Sequence, residues 1–300
     1  MIFYKKGAEN SVPFFLSRIY RKSNMCMNWF NRIVSLNKMT FGMMPDTVEH
    51  AQALKDKEKK ELEKVVREEP EINVVAPEPK LPKLRYEEII QVDFPENRYF
   101  KEQTDKRQIV LHHTVSGRGV AGDINWWKQN PQRIATAVII EWNGDIYQLF
   151  SSRYWAHHLG VRAANNRALN EASIGIEIDA WGGLIKYNRK WYPARWDENK
   201  RKHVADTRIA PIKDVVTYPD GYRGFYGYEK YTDEQIESVR KLLVYWGKHY
   251  NIPLKYNDDM WEISQKALRG DAGVWSHTSF RQDKSDVHPQ KELVDMLKSL

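Results

Sequence analysis

Ile109-Val110-Leu111-His112-His113-Thr114 and Ser173-Ile174-Gly175-Ile176-Glu177-Ile178 are the stretches on which the fold turns. Each is a short apolar run with the character of a buried strand, and each carries ionisable residues within it. Alternation along the second places Glu177 on the face opposite Ile174, Ile176 and Ile178. Residues 137–140 form another apolar run. Asn143-Gly144 then reads as a turn, with residues 146–149 as the hairpin partner. Residues 124–129 read as helix. Thr232 with Gln235 three positions on is a capping box. It opens a helix whose apolar stripe is Ile236, Val239, Leu243, Trp246 and Tyr250, ending at Asn251 before Pro253. Residues 290–300 predict a closing helix. Strands interleaved with helices predict an α/β fold, a mixed central β-sheet with helices on both faces.

Outside this core the composition changes. Residues 1–45 hold seven Lys or Arg against one acid, Glu9, so +6 of the formal net charge of +7 lies there. The rest of the chain is nearly neutral, which argues against a nucleic-acid partner despite the basic total. The arm also carries Phe14, Phe15, Trp29 and Phe30, and reads either as a helical, partly disordered arm or as an amphipathic segment that contacts an anionic membrane or cell wall. It does not read as a signal peptide, because Arg18, Arg21 and Lys22 closely follow a short apolar run. Synthesis in the cytoplasm without a signal peptide is the expectation. Residues 46–69 predict a charged helix, and residues 70–90, with four prolines, a stiff linker. Residues 91–300 then form the folded domain. Within it, residues 181–231 are rich in Trp and Tyr and too long for a structureless loop. They predict an insert with its own hairpin near Tyr187-Asn188-Arg189-Lys190. The insert either walls a cleft or covers the sheet as a satellite cluster. No run reaches 18 apolar residues, so no transmembrane helix is expected.

Cys26 is the only cysteine, so any metal site must use His, Asp and Glu. A catalytic zinc takes about three such ligands and leaves one position open. His112, His277 and Asp286 offer two imidazoles and a carboxylate. Their spacing alone does not separate a metal site from a structural histidine and a solvated aspartate.

The order of motifs adds to this. Residues 109–114, Trp142-Asn-Gly-Asp-Ile-Tyr-Gln-Leu149, His158-Leu-Gly160, residues 173–177 and His277 with Lys284-Ser-Asp286 follow one another. Together they resemble the zinc-dependent N-acetylmuramoyl-L-alanine amidases, over roughly residues 96–300. The resemblance implies zinc held by His112, His277 and Asp286. It implies Glu177 as general base and Lys284 as the cation that stabilises the oxyanion. His158, with Trp155 beside it, matches a position near the substrate cleft. The substrate implied is bacterial peptidoglycan, cut between muramic acid and L-alanine, as a lytic enzyme acting on the wall after release, such as a phage endolysin. Two departures stand out. Thr136 occupies a position where one branch of the family has Tyr, which points to the Glu-using branch. Asp286-Val287-His288-Pro289 replaces the usual Asp-Pro-Gly, leaving His288 as an alternative ligand. A non-catalytic peptidoglycan-binding module or virion component is the alternative reading, opposed by the complete ligand set.

Overall fold

The computed structural model describes residues 88–300, together with positions 56, 57, 59, 60, 84 and 85. The chain divides into two units, Met1–Glu78 and Pro79–Leu300. In the first, Asp56, Lys57, Lys59 and Lys60 are helical, within the stretch expected as a charged helix. The basic arm and most of the Pro-rich stretch lie outside the described residues.

The second unit holds two sheets. Its strands are β1 (Ile89–Gln91), β2 (Gln108–His113), β3 (Val138–Ile140), β4 (Ile146–Gln148), β5 (Ser173–Ile178), β6 (Gly183–Tyr187), β7 (Lys190–Asp197), β8 (Lys202–Ala205), β9 (Val215–Tyr222), β10 (Phe225–Glu229) and β11 (Gly273–Ser276). Its helices are α1 (Ala121–Gln129), α2 (Asn166–Glu171), α3 (Asp233–Tyr250), α4 (Gln265–Arg269) and α5 (Lys291–Lys298).

The first sheet has the order β1-β4-β3-β5-β2-β11. The β3–β4 pair is antiparallel, and the other pairs are parallel. Every residue of β2, β5 and β11 is buried, so both faces of the sheet centre are covered. That burial explains why these strands read as apolar runs rather than as alternating patterns. β1 takes up Ile89 and Ile90, so the sheet begins inside the stretch expected as linker.

Local signals fix the connections. At the β3–β4 turn, the Asn143 side chain accepts from the Asp145 amide and Gly144 has φ +88°. A Cβ there would stand 2.9 Å from the Glu234 backbone oxygen, so this glycine lets the turn lie against the start of α3. Thr232 caps α3 through the Gln235 amide, and the Gln235 side chain accepts from the Thr232 amide, both at 3.0 Å. The Gln235 side-chain amide also donates to the Asp179 carbonyl at 2.8 Å, pinning α3 to the end of β5. α3 closes at Asn251 in the left-handed conformation.

The insert is a sheet of its own, with order β8-β7-β6-β10-β9, antiparallel throughout. β6 and β7 join through Asn188 and Arg189, both at positive φ, the two-residue turn whose twist suits a hairpin. Arg223 and Gly224 join β9 and β10 in the same way.

Thr232→Ala should cost about 1 kcal/mol of stability. In urea it should lower the unfolding midpoint without changing the slope. An unchanged midpoint would show that the cap is dispensable.

Candidate metal centre

Parallel register assembles the site. His112 on β2 pairs directly with Glu177 on β5. Ser276, the last residue of β11, pairs with Leu111, and His277 follows it immediately. His277, His112 and Glu177 therefore stand side by side at the carboxyl ends of three adjacent parallel strands, where open α/β sheets place their ligands.

Asp286 is brought in by a folded-back loop. The Thr278 amide donates to the Asp286 carbonyl at 3.1 Å, which closes the nine-residue gap between His277 and Asp286. The turn that carries His277 is fixed from below. Ser276, Thr278 and Ser279 all direct their hydroxyls at the Met260 carbonyl.

The three ligand candidates are buried and converge. His112 Nδ1 lies 3.0 Å from His277 Nδ1 and 3.2 Å from Asp286 Oδ2, and His277 Nδ1 lies 2.9 Å from Asp286 Oδ2. Neighbouring ligands in a tetrahedral zinc site are about 3.3 Å apart, given zinc–ligand bonds of about 2.0–2.2 Å. The triangle is of that size.

The hydrogen-bond network supplies a second test. His277 Nε2 lies 2.8 Å from the Leu159 carbonyl and must be its donor. Ser173 Oγ donates to the Leu169 carbonyl at 2.7 Å, so His158 Nε2 must donate to Ser173 Oγ at 2.8 Å. That leaves His158 Nδ1 to accept from His112 Nε2 at 2.9 Å. In the neutral rings both Nδ1 atoms are then bare, and the carboxylate oxygen is a third acceptor. Burial, with His277 nearby, lowers the His112 pKa to about 4, so a proton is not the natural occupant. Three acceptors facing one another are stabilised by a cation, and the residues fit a zinc ion.

Glu177 is 8% exposed. Burial, with Asp286 and Asp123 adding, pushes its carboxyl well above the usual range, and Lys284 opposes the shift. Lys284 lines a cavity of about 330 Å³ together with Asp286. Among the described residues no ion pair involves its ammonium.

The two remaining candidates sit elsewhere. His158 was expected near the substrate, but both its ring nitrogens are engaged, so it supports His112 instead. Trp155 was expected beside it in the cleft. It is 1% exposed and stacks on Phe100 with centroids 3.8 Å apart, which makes it a core residue. His288 does not join the ligands. Its Nδ1 meets the Tyr218 hydroxyl at 2.8 Å and its Nε2 the Glu229 carbonyl at 3.1 Å. Thr136 is buried, with its hydroxyl donating to the Val138 carbonyl.

Sequence reading missed the supporting relay through His158 and Ser173. Gly175, inside a strand, was its available signal. A Cβ there would meet the Thr136 methyl at 2.7 Å and His158 Nδ1 at 3.2 Å, so only glycine leaves His158 its place. Asp179 was also missed. It accepts from the Gly119 amide at 2.7 Å, while its other oxygen is buried without a partner. Burial raises its pKa to about 7.

With this geometry in view, the comparisons gain a physical meaning. The profile of the Amidase_2 family, N-acetylmuramoyl-L-alanine amidase, matches residues 102–289. The chain belongs to this family. It is an N-acetylmuramoyl-L-alanine amidase, an enzyme acting on peptidoglycan, and all three ligand candidates lie inside the matched span. A search of curated proteins finds no match. Among solved structures, PlyL is 13% identical with a TM-score of 0.36, over 66% of this chain and 85% of that one. The catalytic domain of XlyA is 16% identical with a TM-score of 0.38, over 70% and 97%. The Staphylococcus aureus hydrolase AmiA is 14% identical with a TM-score of 0.39, over 73% and 84%. The family profile carries the assignment.

Two outcomes are expected here. Ser173→Ala should weaken zinc binding about 10–100-fold by freeing the ring of His158 and so of His112. Titration against a chelating indicator measures it, and unchanged affinity would contradict the relay. For Asp179, a raised folded-state pKa means that stability falls as pH rises from about 4 to about 7. Asp179→Asn should flatten that slope in unfolding curves, and an identical slope would contradict the assignment.

Proposed function

We propose that the chain is a zinc-dependent lytic amidase in which His112, His277 and Asp286 hold the ion. The observation that carries this reading is the triangle of three bare acceptor atoms at the strand ends. Zinc bound there supplies a Lewis acid for the amide carbonyl and makes water more acidic. Asp286 fixes the position of both imidazoles, and Leu159 and His158 fix their tautomers.

Glu177 takes the proton of the attacking water and returns it to the departing L-alanine amine. Its buried environment and raised proton affinity suit a group that must hold that proton between the two steps. Lys284 faces the charge that develops on the carbonyl oxygen. A well-placed donor of this kind contributes about 3 kcal/mol to the transition state. The product is a glycan strand freed from its stem peptide, which weakens the wall.

The lytic role fits an enzyme made in the cytoplasm and released to the wall, as a phage endolysin is. Residues 1–45, outside the described residues, would anchor it to anionic wall or membrane surfaces. Among the described residues no helix is long and apolar enough to cross a membrane.

Glu177→Gln should retain one zinc per chain and lose about 10²–10⁴-fold in kcat on a soluble muramyl-peptide. Lys284→Ala should lose about 10²–10³-fold, also in kcat. Full turnover by Glu177→Gln would remove Glu177 from the mechanism.

A further inference from the structure

The five-stranded insert turns one face onto the ligand loop. Gly183 of β6, Ala194 of β7, His203 and Phe225 line the cavity of about 330 Å³ together with Lys284 and Asp286. A Cβ on Gly183 would stand 2.6 Å from the Phe225 ring, so the ring keeps its place because this position is glycine.

Beyond the cavity the ring surface continues. The His203 ring lies 5.0 Å from Phe225 and 5.2 Å from Trp196, which pairs with His203 across β7 and β8. The row runs outward from buried Phe225 to Trp196, which is 46% exposed. Val115 also lines the cavity, is 54% exposed and is held at φ +59°, a conformation that a β-branched residue rarely adopts. It lies two residues beyond the end of the strand that carries His112.

The charges around the trough narrow the choice of occupant. Arg223 lines the cavity, but its guanidinium donates to the Gln282, Trp261 and Thr278 carbonyls and to the Gln282 side chain. It staples the β9–β10 turn to the ligand loop and is not free for an anionic ligand. Lys284, the other cation of the lining, is the one assigned to the oxyanion, and the row itself is three rings without a formal cation. Stem peptides carry carboxylates and call for free cations. Amide-linked muramic acid and its neighbouring amino sugar are neutral, with apolar ring faces.

We propose that this trough is a glycan subsite, in which exposed Trp196 stacks on the N-acetylhexosamine ring next to the reacting muramic acid and the His203 ring, set edge-on to Trp196 at 74° and backed by Phe225, borders the same sugar. The inference rests on the amidase reading and adds a part of the substrate which that reading leaves unplaced.

The test uses the full chain and two soluble probes. One is a peptide-free oligosaccharide of alternating N-acetylglucosamine and N-acetylmuramic acid, and the other is a free stem peptide. Trp196→Ala and His203→Ala should each weaken oligosaccharide binding about tenfold, equivalent to ~1.4 kcal/mol and typical of one stacking contact. Stem-peptide affinity should stay the same. Absence of oligosaccharide binding by the wild-type chain, or binding by both variants as tight as by the wild type, would overturn the proposal. So would a loss confined to the stem peptide, which would make the wall a peptide site. The oligosaccharide has no scissile amide. A wild-type chain that binds it and cleaves no muramyl-peptide would therefore defeat the amidase mechanism and leave the subsite standing.

Discussion

Three acceptor atoms point at one another in a buried pocket, and the surrounding structure exists to keep them there. His112 Nδ1, His277 Nδ1 and Asp286 Oδ2 lie 2.9–3.2 Å apart. Without a cation such an arrangement is repulsive and poorly solvated. Parallel pairing of β11, β2 and β5 sets the histidines and Glu177 in a row. The Thr278–Asp286 backbone bond folds the last ligand back onto them. Behind each histidine a carbonyl or a hydroxyl relay fixes which nitrogen faces inward. Ligand choice and tautomer choice are thus decided by different parts of the sheet.

The second sheet adds a feature of another kind. Its two-residue turns at Asn188-Arg189 and Arg223-Gly224 make an independent antiparallel structure between β5 and α3. Arg223 then ties it to the loop that carries Lys284 and Asp286. On the proposed function, a wall attached in this way would form part of the reaction cleft. Of the two readings of residues 181–231, a wall of the cleft or a patch over the sheet, the shared lining of Gly183, Ala194, His203 and Phe225 with Asp286 favours the first.

Features set by local chemistry were legible in the sequence. The apolar strand runs, the Asn143-Gly144 turn, the Thr232–Gln235 box and the hairpin at residues 187–190 each depend on a few adjacent residues. The convergence of His112, His277 and Asp286, which could hold a metal, followed from the resemblance, since spacing alone left the three ambiguous. What stayed hidden depends on side chains from distant elements. His158 matches a position near the cleft by resemblance, yet its ring nitrogens meet His112 and Ser173. Trp155 carries an aromatic ring suited to a cleft, but Phe100 covers it. His288, near Asp286 in sequence, is drawn away by Tyr218 and the Glu229 carbonyl. No local pattern contains those partners.

The central claim is that a zinc ion in this triangle enables the chain to cut muramic acid from L-alanine. Digestion of purified peptidoglycan, with labelling of newly exposed amino termini, tests it directly. New N-terminal L-alanine is expected with the zinc-loaded chain, none after chelation, and recovery when zinc is restored. Equal release with and without chelator, or new termini at any other residue, would contradict it.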